Sequence, residues 1–364
     1  MEKSISFRKI ATIAGAMCAY WMGSGFATGQ EILQFFTSSG IKGILSTIIF
    51  LVITGSSTYF IASAGQKEQF ENPFDIFVYY CGKWIGNFYI WLSVVVMYCV
   101  LIVILAGAGA SLHQFYGVPT YAGIIIIGVL ALSTVLLGVQ KIIRIISSLS
   151  FVQILFLLIL GGYGITSLAK DPNIILKNSE LIQVAAIKTP SPHWALSAIL
   201  YAFFTTIVIV PFLVSSVTIV NNLKEARIAT ISGTVIFTLS IIILIIAELI
   251  YYKIFVGKQV PTLAIAYHIS PYFGSAFTLI IVIASYSAVS SNLLIITRRF
   301  AAYKTKKYNI VAFVLILVAI ICSGAVPFAL LINILFPTLA YSTIIFIALM
   351  LYKELKKFHT RKNH

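Results

Sequence analysis

The chain has 364 residues, of which 60% are hydrophobic and 10% are charged, and its mean hydropathy is +1.02. A typical soluble protein has about 25% charged residues, so this composition excludes a large soluble domain. The net charge is +15, but the basic residues lie at the ends of apolar segments, which argues against nucleic-acid binding. The composition therefore predicts an all-α integral membrane protein.

Ten segments are long and apolar enough to cross a bilayer, which requires about 20 residues. These predicted spans are 8–38, 41–64, 84–112, 119–139, 142–168, 194–222, 227–252, 275–303, 308–325 and 326–351. Most lysines and arginines fall in the N-terminus, in the loops after spans 2, 4, 6 and 8, and in the C-terminal tail. The positive-inside rule then predicts a multi-pass protein of the cell membrane with both termini cytoplasmic.

The chain starts with MEKSISFRKI and an apolar run, a pattern that resembles a secretory signal peptide. We interpret the run as a retained span 1, because it is longer than a signal sequence and no cleavage site leads into a soluble chain. The four cysteines form no CxxC motif, which predicts neither disulfides nor a metal cluster.

Span 1 carries an interruption at membrane depth. The residues of this break are Gly23, Ser24, Gly25 and Phe26, and the helix resumes with Gln30 and Glu31. A helix in lipid is interrupted where its loose ends line a cavity or bind a ligand. The amides freed at the start of the second half-helix favour an anion such as a carboxylate. Alternatively, Gly25 and Gly29 form a GxxxG packing motif.

The ten spans divide into two sets of five whose landmarks recur, so that span 1 corresponds to span 6. Because five is an odd number, the second set must be inverted relative to the first, with the site near the midplane between them. The predicted parts are a first repeat (1–168), an external connector (169–193), an inverted second repeat (194–351) and a basic cytoplasmic tail (352–364). The segments 66–83 and 257–274 are predicted to be helices on the membrane surface.

Span 6 is therefore also predicted to be discontinuous, with its break at about 203–207. Aromatic and hydroxyl side chains cluster in the middle of this span, and Pro211 lacks an amide hydrogen. The clustered residues are Tyr201, Phe203, Phe204, Thr205 and Thr206. The rings would wall a substrate pocket and the hydroxyls would cap freed carbonyls. Alternatively, the phenylalanines face lipid and the proline bends a continuous helix.

On these residues the chain resembles the amino acid, polyamine and organocation transporter superfamily, which has the LeuT-type fold, and within it the YkvI-type permeases. The Gly23–Phe26 motif is similar to the GSG-hydrophobic signature of that family. The segment 221–226, NNLKEA, is similar to the polar segment that follows span 6. The resemblance covers all ten spans and implies a secondary transporter in which spans 1, 2, 6 and 7 rock against spans 3, 4, 8 and 9.

Span 8 contains the sequence SYSAVSS at 285–291, whose spacing is similar to that of sodium-coupled members of this fold. The sodium ligands that the resemblance implies are the carbonyls of Ala19, Met22 and Ser287 and the hydroxyls of Ser290 and Ser291. Alternatively, these serines bond the preceding turn or a neighbouring helix. Na⁺ is therefore the expected coupling ion, and no other cofactor is expected.

Glu31 indicates a competing coupling mechanism, because an ionisable residue inside a span is costly and by default functional. Its carboxylate would carry a proton, pair with a cationic amine, or only cap loose amides at the start of the half-helix. Gln30 and Glu31 also occupy a region in which several sodium-coupled relatives have a cationic gate residue. Glu248, near the external end of span 7, is expected to snorkel towards water.

Three further residues complete the predicted site. The resemblance places Tyr98 of span 3 where a residue closes over the substrate. Together with Tyr286 and the phenylalanines of span 6, it would also enclose an aromatic or quaternary ammonium compound through cation–π contacts. Asn333 in span 10, close to Pro337, is predicted to be a flexing point of the outer gate.

The sequence therefore predicts a sodium symporter of an amino acid or a related amine or carboxylate, which works by alternating access as a monomer or homodimer. The alternatives are proton-coupled transport through Glu31 and a ligand receptor built on a transporter fold. The sequence contains no nucleotide-binding motif and no recognisable catalytic set, so an enzyme is not predicted. The expected partners are a small-molecule substrate and the lipid bilayer, without nucleic acid.

Overall fold

The computed structural model describes residues 5–137, 150–185 and 187–362. Within these ranges the chain forms helices and no β-strand. Nine of the described helices are long and apolar enough to cross a membrane. The prediction of an all-α integral membrane protein is confirmed. The first residues of predicted span 5, 142–149, lie outside the described ranges.

The helices follow the predicted spans, since each apolar run ends at a polar, glycine-containing or proline-containing segment. The first half contains α1 (Phe7–Trp21), α2 (Ser24–Ala27), α3 (Gln30–Phe35), α4 (Ile41–Glu68), α5 (Asp75–Tyr116), α6 (Thr120–Leu137) and α7 (Ser150–Lys170). The predicted connector contains α8 (Ile174–Val184). The second half contains α9 (Trp194–Ser216), α10 (Leu223–Ile250), α11 (Tyr252–Phe255), α12 (Pro261–Ile269), α13 (Pro271–Phe300), α14 (Lys306–Ala325) and α15 (Phe328–Lys362).

The two segments predicted as surface helices are both helical. The first is divided from span 3 by Gly82, which has a φ of +74° inside α5. Glycine adopts this left-handed backbone without steric cost, so the chain turns there between a short helix, 75–81, and the long span that follows. The second segment contains α12, which begins with Pro261 at its first turn.

The helices pack into the two predicted groups. In the first group α4 contacts both α9 and α10, and α1 lies along α10. In the second group α5, α6, α13 and α14 contact one another, and α15 contacts both α9 and α5. We call the end of this bundle at which α1 begins the near end, and the opposite end the far end.

Span 6 is continuous, so the prediction that it is interrupted at 203–207 is wrong. Helix α9 runs unbroken from Trp194 to Ser216 with Pro211 inside it. The Thr205 hydroxyl donates to the Tyr201 carbonyl at 2.9 Å, within the same helix. This helix contains no glycine, and its threonine hydroxyls bond the preceding turn, so the sequence offers no place at which unwinding would be favourable.

The start of α1 is fastened to the start of α10. The side chain of Asn222 caps α10 by accepting a hydrogen bond from the Glu225 amide at 2.9 Å. The carboxylate of Glu225, which is 0% exposed, accepts from the backbone amides of Ser6 at 2.7 Å and Asn221 at 2.8 Å. A carboxylate in the first turn of a helix is also favoured by the helix dipole. We call this set of contacts the near-end clasp.

We expect Glu225→Ala to lower the stability of the protein by about 1–3 kcal/mol, because two partly buried amides lose their acceptor. The measurement is the apparent melting temperature of the purified protein in detergent. Glu180→Gln, which changes an exposed carboxylate on α8, is the control and should leave the melting temperature unchanged. Equal melting temperatures for both variants would show that the near-end clasp contributes nothing.

Candidate functional site

Span 1 consists of three successive helices, which are separated by two interruptions. Helix α1 ends at Trp21, α2 has only 4 residues, and α3 begins at Gln30. Gly29, between α2 and α3, has a φ of +79°, which a residue with a side chain adopts only with strain. The predicted break is confirmed, and the unwound segment between α1 and α3 runs from Met22 to Gly29.

The backbone of the unwound segment finds hydrogen-bond partners in protein. The hydroxyl of Thr28 donates to the Gly25 carbonyl at 2.6 Å. Thr262 of α12 supplies two more bonds, from its hydroxyl to the Ala27 carbonyl at 2.5 Å and from its amide to the Thr28 carbonyl at 3.2 Å. Because lipid offers no partner to a free carbonyl, α12 is required to keep this segment unwound.

A cavity of about 760 Å³ lies beside the break. Its wall follows one face of α1, from the exposed side chain of Arg8 in the first turn to the buried Gly25. The other walls come from α5, α7, α9, α13 and α15. The cavity therefore opens at the near end and ends at the break.

The far end is closed by polar contacts between helices. Gln34 of α3 donates to the Ala329 carbonyl at the start of α15, at 2.7 Å. The side-chain amide of Gln114, at the end of α5, makes two bonds with the backbone of Val260, at 2.8 and 3.0 Å. With the two bonds of Thr262, these form what we call the far-end contacts. They separate the cavity from the far side.

Glu31 provides a carboxylate at the closed end of the cavity. It lines the cavity, is 6% exposed, and accepts a hydrogen bond from the Tyr201 hydroxyl at 3.0 Å. A Cβ atom built at Gly25 would lie 2.0 Å from Oε1 of Glu31, so a side chain at this position would force the carboxylate to move. The two ion pairs found in the described residues do not include Glu31. Its charge is therefore left for a proton or a bound cation to balance.

Tyr201 is held in place by a buried aromatic cluster. Its ring centroid lies 5.1 Å from that of Phe35, 5.3 Å from that of Phe36 and 5.6 Å from that of Phe50. Tilted and edge-on ring pairs at these distances are favourable and leave little rotational freedom. The hydroxyl of Tyr201 is therefore oriented towards Glu31 by packing.

Aromatic rings form much of the remaining cavity wall. These rings belong to Tyr20, Trp21, Phe26, Phe204, Phe212 and Phe336, in addition to Tyr201. Phe204 and Phe336 stack with ring centroids 3.9 Å apart and so join α9 to α15. Aromatic faces attract cations as well as apolar groups. The combination of these rings with one carboxylate suits an organic cation.

Gln153 of α7 is a site residue that sequence analysis missed. It lines the cavity, is 1% exposed, and neither its Nε2 nor its Oε1 has a hydrogen-bond partner among the described residues. A buried amide without partners is costly unless a ligand or water satisfies it. The available signal was a single glutamine within the apolar run SFVQILFLLIL.

The predicted substrate residues divide into two sets. Those that line the cavity are Gly23, Gly25, Phe26, Phe204 and Thr205, and Ser24 lies between them in α2. Phe203 and Thr206 do not line it. The Tyr98 hydroxyl donates to the Leu315 carbonyl of α14 at 2.7 Å, and the Tyr286 hydroxyl bonds Thr134 of α6. These two tyrosines join helices of the second group, away from the cavity.

Four of the five predicted sodium ligands line the same cavity, two from α1 and its C-terminal end and two from α13. Ala19, Met22, Ser287 and Ser291 line the cavity. Ser290 does not line it, but its hydroxyl is buried and has no hydrogen-bond partner in the described part of the chain. No group of three or more His, Cys, Asp or Glu side chains suited to a metal occurs among the described residues.

The predicted gate residues lie near the far end. Gln30 is 5% exposed, and its Oε1 has no partner among the described atoms. Asn333 of α15 also has an unpaired side-chain nitrogen in that set. Glu248 is 0% exposed, so the prediction that it snorkels to water is wrong. Its end of α10 is covered by α8 and α12, which sequence reasoning did not place there.

Comparison with known proteins identifies a shared fold. No family model matches the chain. The uncharacterized protein YyaD of Bacillus subtilis is 32% identical over 129 residues, which are 35% of this chain and 37% of that protein. The crystal structure of the Eremococcus coleocola manganese transporter in complex with an aromatic bis-isothiourea compound matches with a TM-score of 0.57 and 15% identity, over 96% of this chain and 79% of that one. A histidine-to-alanine mutant of that transporter matches with a TM-score of 0.56 at the same identity. The described helices therefore have the fold of a multi-span membrane transporter.

The glycines of the break allow a matched test of the Glu31 geometry. Gly25→Ala should destabilise the protein by about 1–3 kcal/mol, because the new methyl group would displace the Glu31 carboxylate. Gly23→Ala is the control, since no atom lies within 4 Å of a Cβ built there. Melting temperatures in detergent compare the two variants. If both alanines were tolerated equally, the contact between Gly25 and Glu31 would not exist in the protein.

Proposed function

We propose that this protein is an ion-coupled secondary transporter of a small organic solute that carries an amine, such as an amino acid or a related compound. The observation that carries the proposal is the cavity beside the break in span 1. It is large enough for such a solute, at about 760 Å³, opens at one end only, and holds a buried carboxylate at its closed end. The likeness to a solved transporter supports an alternating-access mechanism.

The position of Glu31 favours an amine over a carboxylate at the break. A carboxylate bound at the amides near Gly25 would lie directly against the oxygen of Glu31, and two like charges at that distance repel strongly. An amine at the same place would gain a charge-assisted hydrogen bond and the aromatic faces of Trp21 and Phe26. The carboxylate of an amino acid would then point along the cavity.

Gln153 is proposed to bind a polar group of the same solute. Its side chain offers two donor hydrogens and one acceptor oxygen without internal partners. It stands on α7, whereas Glu31 stands on α3, so the two side chains approach the cavity from different helices. A solute with an amine and a second hydrogen-bonding group would satisfy both.

Sodium is the coupling ion that we propose first. Na⁺ prefers oxygen ligands, and the implied ligand set of Ala19, Met22, Ser287, Ser290 and Ser291 supplies them. The unpaired hydroxyl of Ser290 supports this proposal. Proton coupling through Glu31 is the alternative, and the absence of an ion pair to this carboxylate among the described residues favours it.

We further propose that the protein belongs to the amino acid, polyamine and organocation superfamily, with 1–168 and 194–351 as inverted repeats. Both termini would be cytoplasmic in the cell membrane. The near end would then face the cytoplasm, and the cavity would be open to the inside. This orientation would make the far-end contacts the closed external gate.

The experiment that tests the function has two stages. A thermal-shift screen of amino acids and amines, each in sodium and in potassium, identifies a stabilising solute, because a ligand that binds the folded state raises its stability. Uptake of that labelled solute into proteoliposomes is then measured under an imposed sodium gradient or an imposed pH gradient. Saturable binding without accumulation under either gradient would contradict transport and support a receptor.

We expect Glu31→Gln to weaken binding of the amine by about 2 kcal/mol or more, which is about thirtyfold in the dissociation constant. Glu180→Gln, an exposed carboxylate on α8, is the control and should bind normally. Isothermal titration of the purified variants measures both constants. Unchanged affinity in Glu31→Gln would exclude the proposed role of this carboxylate in recognising the amine.

We expect Ser291→Ala to raise the sodium concentration needed for half-maximal uptake about tenfold, the effect of losing roughly one ligand. Solute affinity at saturating sodium should stay unchanged. Ser133→Ala is the matched control, since Ser133 is an exposed serine on α6. Uptake that ignores sodium and follows the pH gradient would contradict sodium coupling and leave the proton mechanism.

A further inference from the structure

A second carboxylate is buried behind the break, on the side away from the cavity. Glu248 of α10 is 0% exposed and does not line the cavity. Its Oε2 accepts a hydrogen bond from the Thr37 hydroxyl at 2.5 Å, whereas its Oε1 has no partner in the described part of the chain. The mechanism proposed above makes no use of this group.

Glu248 lies against the same unwound segment as Glu31 but at a different point. A Cβ atom built at Gly29 would come within 2.6 Å of Oε1 of Glu248 and within 2.8 Å of the Thr262 methyl group. Glu248 and Thr262 therefore both lie against Gly29. Thr262 also makes the two far-end bonds to Ala27 and Thr28. Glu248 is thus part of the far-end closure.

Among the described residues, no buried cation balances a negative charge on Glu248. The carboxylate, histidine and lysine side chains at this end of the elements around it are Glu31, Lys42, Lys170, Lys177, Glu180, Lys253 and His268. All of these except Glu31 are exposed, and Lys177 pairs with Asp171 at 2.9 Å. Glu31 would add repulsion. A buried carboxylate with one neutral donor and no counter-ion is strongly unfavourable as an anion.

We propose that Glu248 is a proton-binding site, and that its protonation holds the far end closed. In the closed form the neutral carboxyl group packs against Gly29 and Thr262 without the cost of a buried charge. When the far end opens, water reaches the carboxyl group and the proton leaves to the far side, so the anion is hydrated. Closure then requires that the proton be taken up again. The ligand of this site is the proton alone.

The direction of the pH effect follows from this difference in bound protons. The closed form holds one more proton than the open form, so a rise in pH favours opening and a fall favours closure. For one proton the open-to-closed ratio changes about tenfold per pH unit once the open form has lost its proton. The inference rests on the proposed transport function in one respect: that function makes the opening of the far end the opening of a gate.

The first measurement is infrared spectroscopy of the full-length protein in phosphatidylethanolamine and phosphatidylglycerol vesicles. The carbonyl stretch of a protonated carboxylic acid reports Glu248 in its neutral form near neutral pH. Glu248→Gln should remove one such band and Glu31→Gln should leave that band in place. Glu180→Gln should change neither. A spectrum that Glu248→Gln leaves unaltered would show that Glu248 is ionised and would overturn the proposal.

The second measurement is hydrogen–deuterium exchange of the wild-type protein, which does not depend on whether a variant folds. The α8 amides, 174–184, serve as the internal reference for the α12 amides, 261–269. The ratio of the α12 exchange rate to the α8 exchange rate should rise by about tenfold for each pH unit. Glu248→Gln should abolish this rise. No rise in the wild type would overturn the link between the proton and the far-end contacts.

Neither measurement uses a solute or an ion gradient, so the outcomes separate the two proposals. A protonated Glu248 with pH-dependent exchange at α12, in a protein that accumulates nothing, would contradict transport and keep the proton site. Accumulation of a solute together with an ionised Glu248 would keep transport and overturn the proton site.

Discussion

The interrupted helical backbone of residues 22–29 is the constraint on which the rest of the structure depends. In lipid each amide or carbonyl without a partner costs several kcal/mol, so a broken helix exists only where protein supplies the missing bonds. Thr28 and Thr262 supply them here. The short helix α12 is therefore both a cover for the far end and the partner that keeps span 1 unwound. The cavity ends at this point because the same contacts close it.

Two carboxylates lie on opposite sides of this segment, and each is made possible by a glycine. Glu31 fits beside Gly25 and faces the cavity, while Glu248 fits beside Gly29 and faces α12. Neither forms an ion pair with a described residue. Two buried carboxylates without counter-ions lower the stability of the protein, and ionisable residues within a membrane span are functional by default. In the proposed transport mechanism, Glu31 would act on the cavity side and Glu248 at the far-end contacts.

Sequence reasoning succeeded where the signal was local and failed where it was tertiary. Glycines at 23 and 25 are followed at once by Gln30 and Glu31 inside an apolar run, and this combination predicted the break. Glycines alone would not, since Gly107 and Gly109 lie within the continuous part of α5. In span 6, Thr205 has two possible uses for its hydroxyl, to cap a break or to bond its own helix, and only packing decides between them. The burial of Glu248 depends on α8 and α12, which lie far from it in the chain. Gln153 could have been noticed in the sequence, but only as one polar residue within an apolar run.

Because α9 is continuous, the break in span 1 has no counterpart in span 6. The near-end clasp joins α1 to α10 through Glu225, so α1 is expected to move together with α10. Helix α4 packs on α10, and α9 packs on α4, so these two helices would move with them. The far end is held by a few side-chain bonds to backbone from Gln34, Gln114 and Thr262. Each is worth about 1 kcal/mol net. In the proposed transport mechanism, a far end held by so few bonds would open when one charge or one ligand changes.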